Sequence, residues 1–116
     1  MELTNRFMDN CVVVDINDDR FEYPNTMLLK NHIGHLLASG QRYVVLNLAK
    51  VNMLDSFGIA VLISILKACR EHEGNLALYG MNQQVAKLMK LTRMDRILEI
   101  WDSEGQAVYC VKTKLF

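Results

Sequence analysis

The segment Tyr43-Val44-Val45-Leu46-Asn47-Leu48 constrains this chain more than any other. It is apolar almost without interruption and has the length of a strand; a strand with no alternation has no face to offer to water, so it must be covered on both sides. The rest of the chain has to provide that cover. After the only proline, Pro24, apolar residues at Met27, Leu28, Leu29, Ile33, Leu36 and Leu37 recur with helical spacing until Ser39-Gly40 stops them. Before it, Cys11-Val12-Val13-Val14-Asp15-Ile16 is rich in β-branched residues and runs into the polar stretch Asn17-Asp18-Asp19-Arg20, which predicts a strand and a turn. Phe7 and Met8 fit an earlier, paired strand.

Downstream, the apolar run from Ile59 to Cys69, stopped at Gly74, predicts a largely buried helix. Leu76-Ala77-Leu78-Tyr79 predicts a strand, and Asn82 caps a helix carrying Val85, Leu88, Met89 and Leu91. Ile97-Leu98-Glu99-Ile100-Trp101 predicts another strand, and Asp102-Ser103 caps a last helix with Ala107, Val108 and Cys110. Strands alternating with helices define an α/β domain with a mixed, largely parallel sheet and about four α-helices. Its functional loops are expected at the carboxyl ends of the strands.

Size and charge narrow the function. The 116 residues are read as a single domain, 1–116, large enough to bury a core without staples. Thirteen basic residues balance thirteen acidic ones, which argues against nucleic acid or an anionic membrane as the partner. Cys11, Cys69 and Cys110 are widely spaced and odd in number, so a reducing cytoplasm is the expected setting. The N-terminal residues do not have the pattern of a signal peptide, and the longest apolar stretch, Gly58 to Leu66, falls far short of the ~20 residues that span a bilayer. No membrane insertion is expected.

Asp55-Ser56, at the start of the long apolar helix, is the most informative candidate site. A helix N-terminus presents unpaired N–H groups and a partial positive charge, so it can hold a phosphate, and a serine there is a candidate phosphoacceptor. Read from the residues alone, Asp55 or Ser56 is a helix cap. Phe57, a large apolar residue in the first turn, and Gly58, whose missing side chain is expected to leave backbone exposed, suggest a docking surface instead. His32 and His35 share a helix face but have no further metal-site signature, so they are read as solvent-exposed, as is His72. Neither a G-x-S-x-G elbow nor a glycine-rich phosphate loop is present. Lys87, Lys90, Arg93 and Arg96 are read as a solvated face complementing the end of the third helix.

The run Val44-Val45-Leu46-Asn47-Leu48, then Val51, then Met53-Leu54-Asp55-Ser56-Phe57-Gly58-Ile59, closely resembles the STAS domain of bacterial anti-sigma factor antagonists, in which an apolar strand leads to a D-S-[ST]-G motif opening a helix. Gly74 to Leu78, Val85 to Leu91 and Met94 to Ile97 are similar to the family's later elements, so the resemblance covers nearly the whole chain. It implies a non-enzymatic, partner-switching regulator. The unphosphorylated form binds an anti-sigma-type serine kinase, the kinase phosphorylates the motif serine, and a PP2C-like serine phosphatase restores it.

Carried over by position, Ser56 is the phosphoacceptor, Asp55 the preceding acid and Gly58 the motif glycine. Phe57 departs from the usual hydroxyl residue and removes a second acceptor. Glu22, in Phe21-Glu22-Tyr23, is the nearest match to an acid found before the first helix. Glu22, Asp55, Ser56, Phe57 and Gly58 are thus the implied partner-binding residues, with no cofactor, no metal and no catalytic residue. The resemblance implies an output in transcription or a biofilm-type response. The alternatives are a ligand-binding or scaffold STAS module in which Ser56 is only a cap, and a small enzyme with Ser56 as nucleophile.

Overall fold

A computed structural model of the chain describes residues 1–113. The elements run β1 (Leu3–Met8), β2 (Cys11–Ile16), β3 (Arg20–Phe21), α1 (Asn25–Ala38), β4 (Tyr43–Asn47), β5 (Met53–Leu54), α2 (Ser56–Glu71), β6 (Asn75–Tyr79), α3 (Gln83–Leu91), a 3₁₀ turn (Met94–Arg96), β7 (Glu99–Trp101) and α4 (Glu104–Val111). Five strands form the main sheet in the order β1-β2-β4-β6-β7, with β1 antiparallel to β2 and the other pairs parallel. The expected mixed, largely parallel sheet with four α-helices is the architecture found.

The central apolar run is β4, and Val44, Val45 and Leu46 are fully buried. Two separate cores explain why both of its faces are dry. Val12, Val14, Ile16, Val44, Leu46, Leu76 and Leu78 pack with residues of α1, α2 and α3 on one side. On the other, Cys11, Val13, Val45, Ala77 and Tyr79 pack with Ala107, Val108 and Val111 of α4. Three helices against one leave the second side less thickly covered, and part of it is closed by polar groups.

The Arg6 guanidinium grips Asp15 through two hydrogen bonds of 2.8 Å and also bonds Glu104 of α4. Tyr79 Oη donates to Glu104 at 2.7 Å, and Asn47 Nδ2 donates to Asp15 at 2.8 Å. Four strands and α4 are tied together in this way. Hydrogen bonds from Arg6 hold the Asp15 and Glu104 carboxyls below their ordinary range, and they act against the smaller effect of burial. Burial and the bond to Glu104 push the Tyr79 hydroxyl up to about 12.

Several sequence readings need correction. The last predicted strand is shorter: Ile97 is 45% exposed beside the 3₁₀ turn, and only Glu99–Trp101 joins the sheet, because Arg93 adopts a left-handed φ of 61° that turns the chain after α3. Leu91, assigned to an apolar helix face, is 73% exposed at the end of α3. Arg93 and Arg96 lie beyond that helix rather than within its last turn. The short parallel pair β3–β5 had no signal in the sequence, since two residues are too few to show a period.

Arg6→Ala is expected to lower the unfolding free energy by about 1–3 kcal/mol, because it leaves two carboxylates on a partly closed face without their partner; denaturant titration measures the loss. Two carboxyls with lowered folded-state pKa values stabilise the fold fully above their ordinary values of 3.8 and 4.5, and this contribution is lost as pH falls through the folded values. The melting temperature of the native chain is therefore expected to fall more steeply below pH ~4 than that of Arg6→Ala.

Candidate functional site

The first turn of α2 is set by Asp55. Its backbone is extended, with φ −104° and ψ −177°, and its Oδ1 accepts the Gly58 N–H at 2.8 Å. This is the geometry of an N-cap on the third helical amide. The Asp55 carbonyl takes the Ile59 N–H at 3.1 Å, so the Ser56 and Phe57 amides are the open donors of the turn. Asp55 Oδ2 accepts the Tyr23 N–H at 3.3 Å. One carboxylate thus caps α2 and holds the loop before α1 against it.

Gly58 lies at the base of this arrangement. It is buried, and a Cβ there would lie 2.8 Å from the Phe21 carbonyl oxygen, 3.0 Å from Leu54 Cδ1 and 3.1 Å from Phe21 Cδ2. The sequence reading of Gly58 as exposed backbone is therefore corrected. The residue is glycine because the β3–β5 pair passes directly over the helix start, with Phe21 fully buried beside it.

Above this base the surface is apolar. Ser56 is exposed, and among the described residues its Oγ has no hydrogen-bond partner. Phe57 is 57% exposed and Tyr23 62%, with ring centroids 5.3 Å apart and planes tilted by 43°. Such a tilted pair is a favourable aromatic arrangement. Met53 on β5 and Met27 on α1 are also exposed. Tyr23 and Met53 were not read as site residues from the sequence, because no spacing rule places residue 23 beside residue 57; the packing of β3 on β5 does that.

Glu22 stands in the same loop, but its carboxylate accepts from Arg20 at 3.3 Å, and its carbonyl takes the Thr26 N–H at the start of α1. Asp55, Ser56, Phe57 and Tyr23 are thus brought together, while the Glu22 side chain turns to Arg20. The histidines are elsewhere. His35 and His72 are exposed as expected, whereas His32 is half-buried, with Nε2 2.7 Å from Asn5 Oδ1. Burial, with a smaller effect from His35, lowers its pKa. Both oxygens of Asp55, the carboxylate next to Ser56, are occupied by backbone amides.

Comparison with known proteins places this geometry in a family. Residues 3–107 match the model of the STAS domain. A protein of Thermotoga maritima named for anti-sigma factor antagonism is 30% identical over 110 residues, covering 94% of this chain and 96% of its own length. The chain belongs to the STAS domain family and has anti-sigma factor antagonist homologues. An anti-sigma-B factor antagonist of Listeria monocytogenes is 30% identical over 61 residues, about half of each chain (53% and 54%).

Among solved structures, a crystal structure of the Thermotoga maritima protein superposes with a TM-score of 0.82 at 29% identity, over 94% of this chain and 93% of that one. The Bacillus cell fate determinant SpoIIAA in its phosphorylated form superposes with a TM-score of 0.70 at 12% identity, over 95% of this chain and 99% of that one, a likeness of fold alone. Among the described residues, no helix is long and apolar enough to cross a membrane.

Gly58→Ala is expected to destabilise the domain by about 1–3 kcal/mol, since the new methyl meets backbone that cannot move away. Thermal unfolding checks this. Asp55→Ala, which removes the cap and the bond to Tyr23, is expected to lower stability by about 1–2 kcal/mol.

Proposed function

We propose that this chain is a partner-switching regulator controlled by reversible phosphorylation of Ser56. The observation that carries the reading is the position of Ser56: an exposed hydroxyl on the first residue of α2, beside two open backbone amides and bordered by the exposed Tyr23–Phe57 pair. A kinase can reach the hydroxyl, and the helix end accommodates the charge that results. The apolar pair gives a partner something to bind. Adding roughly −1.5 to −2 charges there sets an anion against any surface desolvated on Phe57 and Tyr23, so binding is lost without a change of fold.

In this reading the unphosphorylated form engages an anti-sigma-type serine kinase. Its homologues' names point to anti-sigma regulation. A PP2C-like phosphatase returns the protein to its binding form, the setting is cytoplasmic, and the output is transcription or a biofilm-type response. Asp55 acts as the cap that orients Ser56, Phe57 and Tyr23 form the contact surface, and Gly58 supports them from below. Glu22 contributes through the loop it anchors. No cofactor is required.

Incubation with the cognate kinase and ATP is expected to add a single phosphate, mapped to Ser56 by mass spectrometry of the digest, and Ser56→Ala is expected to remain unmodified while still binding the kinase. Phosphate at another residue, or none, overturns the assignment. Phe57→Ala is expected to weaken kinase binding at least about tenfold while leaving the melting temperature nearly unchanged, because most of the ring is already in water. Ser56→Asp is expected to weaken binding less than the phosphate does, as it adds only one charge.

A further inference from the structure

Strand β1 is one edge of the main sheet, and its outward side is complementary to itself. The turn Asp9-Asn10 is left-handed at both residues, with φ of 48° and 63°, so Met8 and Cys11 form a hydrogen-bonded pair and the ladder bonds to β2 fall on Met8, Arg6 and Thr4. The Asn17 N–H donating to the Glu2 carbonyl at 2.9 Å continues the same phase. Leu3, Asn5 and Phe7 therefore direct their N–H and C=O groups away from the sheet. Six residues long, without proline or bulge, the strand lacks the usual protection of an edge, and its one charge, Arg6, is bound inward to Asp15 and Glu104. Phe7 is 60% exposed on it.

We propose that β1 pairs antiparallel with β1 of a second copy of this chain, about a two-fold axis through Asn5, joining two five-stranded sheets into one. In this register Asn5 faces Asn5, and Leu3 of each copy faces Phe7 of the other. No other register sets all three outward residues against one another. The side chains of Leu3, Asn5 and Phe7 lie on the α1 side of the sheet, as the packing of Leu3 on that core and the Asn5–His32 contact show. Each Phe7 therefore settles into the groove of about 410 Å³ that Met1, Leu3, Leu28, Asn31, His32 and His35 form in the other copy.

Charge does not oppose this pairing. On the α4 side, the exposed Glu2 of one copy comes opposite Met8 of the other. It lies beside the turn that Lys112 holds through a 2.6 Å bond from Nζ to the Asp9 carbonyl. That turn carries the Asp9 carboxylate as well as the Lys112 ammonium, so Glu2 meets a turn of balanced charge at each end of the paired strands, while Arg6 faces Thr4 and keeps its own two carboxylates.

Light scattering and sedimentation over a concentration series test the pairing. The native chain is expected to be dimeric, and Phe7→Glu to raise the dimer dissociation constant at least about tenfold, with an unchanged circular dichroism spectrum. Register is tested by cross-linking in a Cys110→Ser background, where the remaining Cys11 and Cys69 are buried. Asn5→Cys is expected to form a disulfide-linked dimer on mild oxidation, since paired Cα atoms about 5.5 Å apart lie within disulfide range. Phe7→Cys is expected not to, because the two copies of residue 7 lie about 14 Å apart along the strands. A native chain that stays monomeric, a dimer indifferent to Phe7→Glu, or cross-linking of Phe7→Cys as readily as Asn5→Cys overturns the proposal. So does a monomer that pairs β1 only with an extended peptide of another protein.

Discussion

Everything in this domain is arranged around the burial of β4 on both faces. A strand with Val44, Val45 and Leu46 wholly removed from water must have paired neighbours on both edges and a layer above and below. Parallel β2 and β6 supply the first, and α1, α2 and α3 on one side with α4 on the other supply the second. Each parallel pairing then requires a crossover helix, which returns the chain to the same end of the sheet after every strand. The start of α2 comes to lie at the carboxyl end of the sheet as a consequence.

The two sides of the sheet achieve closure by different means. The three-helix side is almost entirely apolar, so its stability rests on packing of close-fitting hydrocarbon. The α4 side has one short helix, and Arg6, Asp15, Asn47, Tyr79 and Glu104 complete it with a bonded polar network. Such a network tolerates contact with water that a hydrocarbon layer would not, but each member depends on the others remaining charged or bonded. Closure of the α4 side is therefore the part of the packing that depends on charged groups.

At the site, a single carboxylate joins two distant stretches of chain. Asp55 completes the first turn of α2 and holds the Tyr23 amide, so the Tyr23–Phe57 pair and the Ser56 hydroxyl are presented on a firm base rather than on a free loop. That base is tight because Gly58 admits the Phe21 backbone to within contact distance. A glycine that allows close packing and an aspartate that caps the helix together fix the first turn of α2, and with it the position of Ser56.

How much of this was legible in the chain follows from the range of the forces involved. Local signals determined β2, β4 and β6, α1 and α2, and the Asn82 cap, and they narrowed the other two caps to Asp55 or Ser56 and to Asp102-Ser103, because periodicity and capping act between residues a few positions apart. They also marked Asp55-Ser56 as the place of interest. Tertiary structure alone decided that Tyr23 packs against Phe57 and that Gly58 is a packing glycine rather than an exposed one. Each of these depends on a contact between segments far apart in the chain. A contact of that kind is fixed only when the whole core closes, so it leaves no repeating mark in the sequence that encodes it.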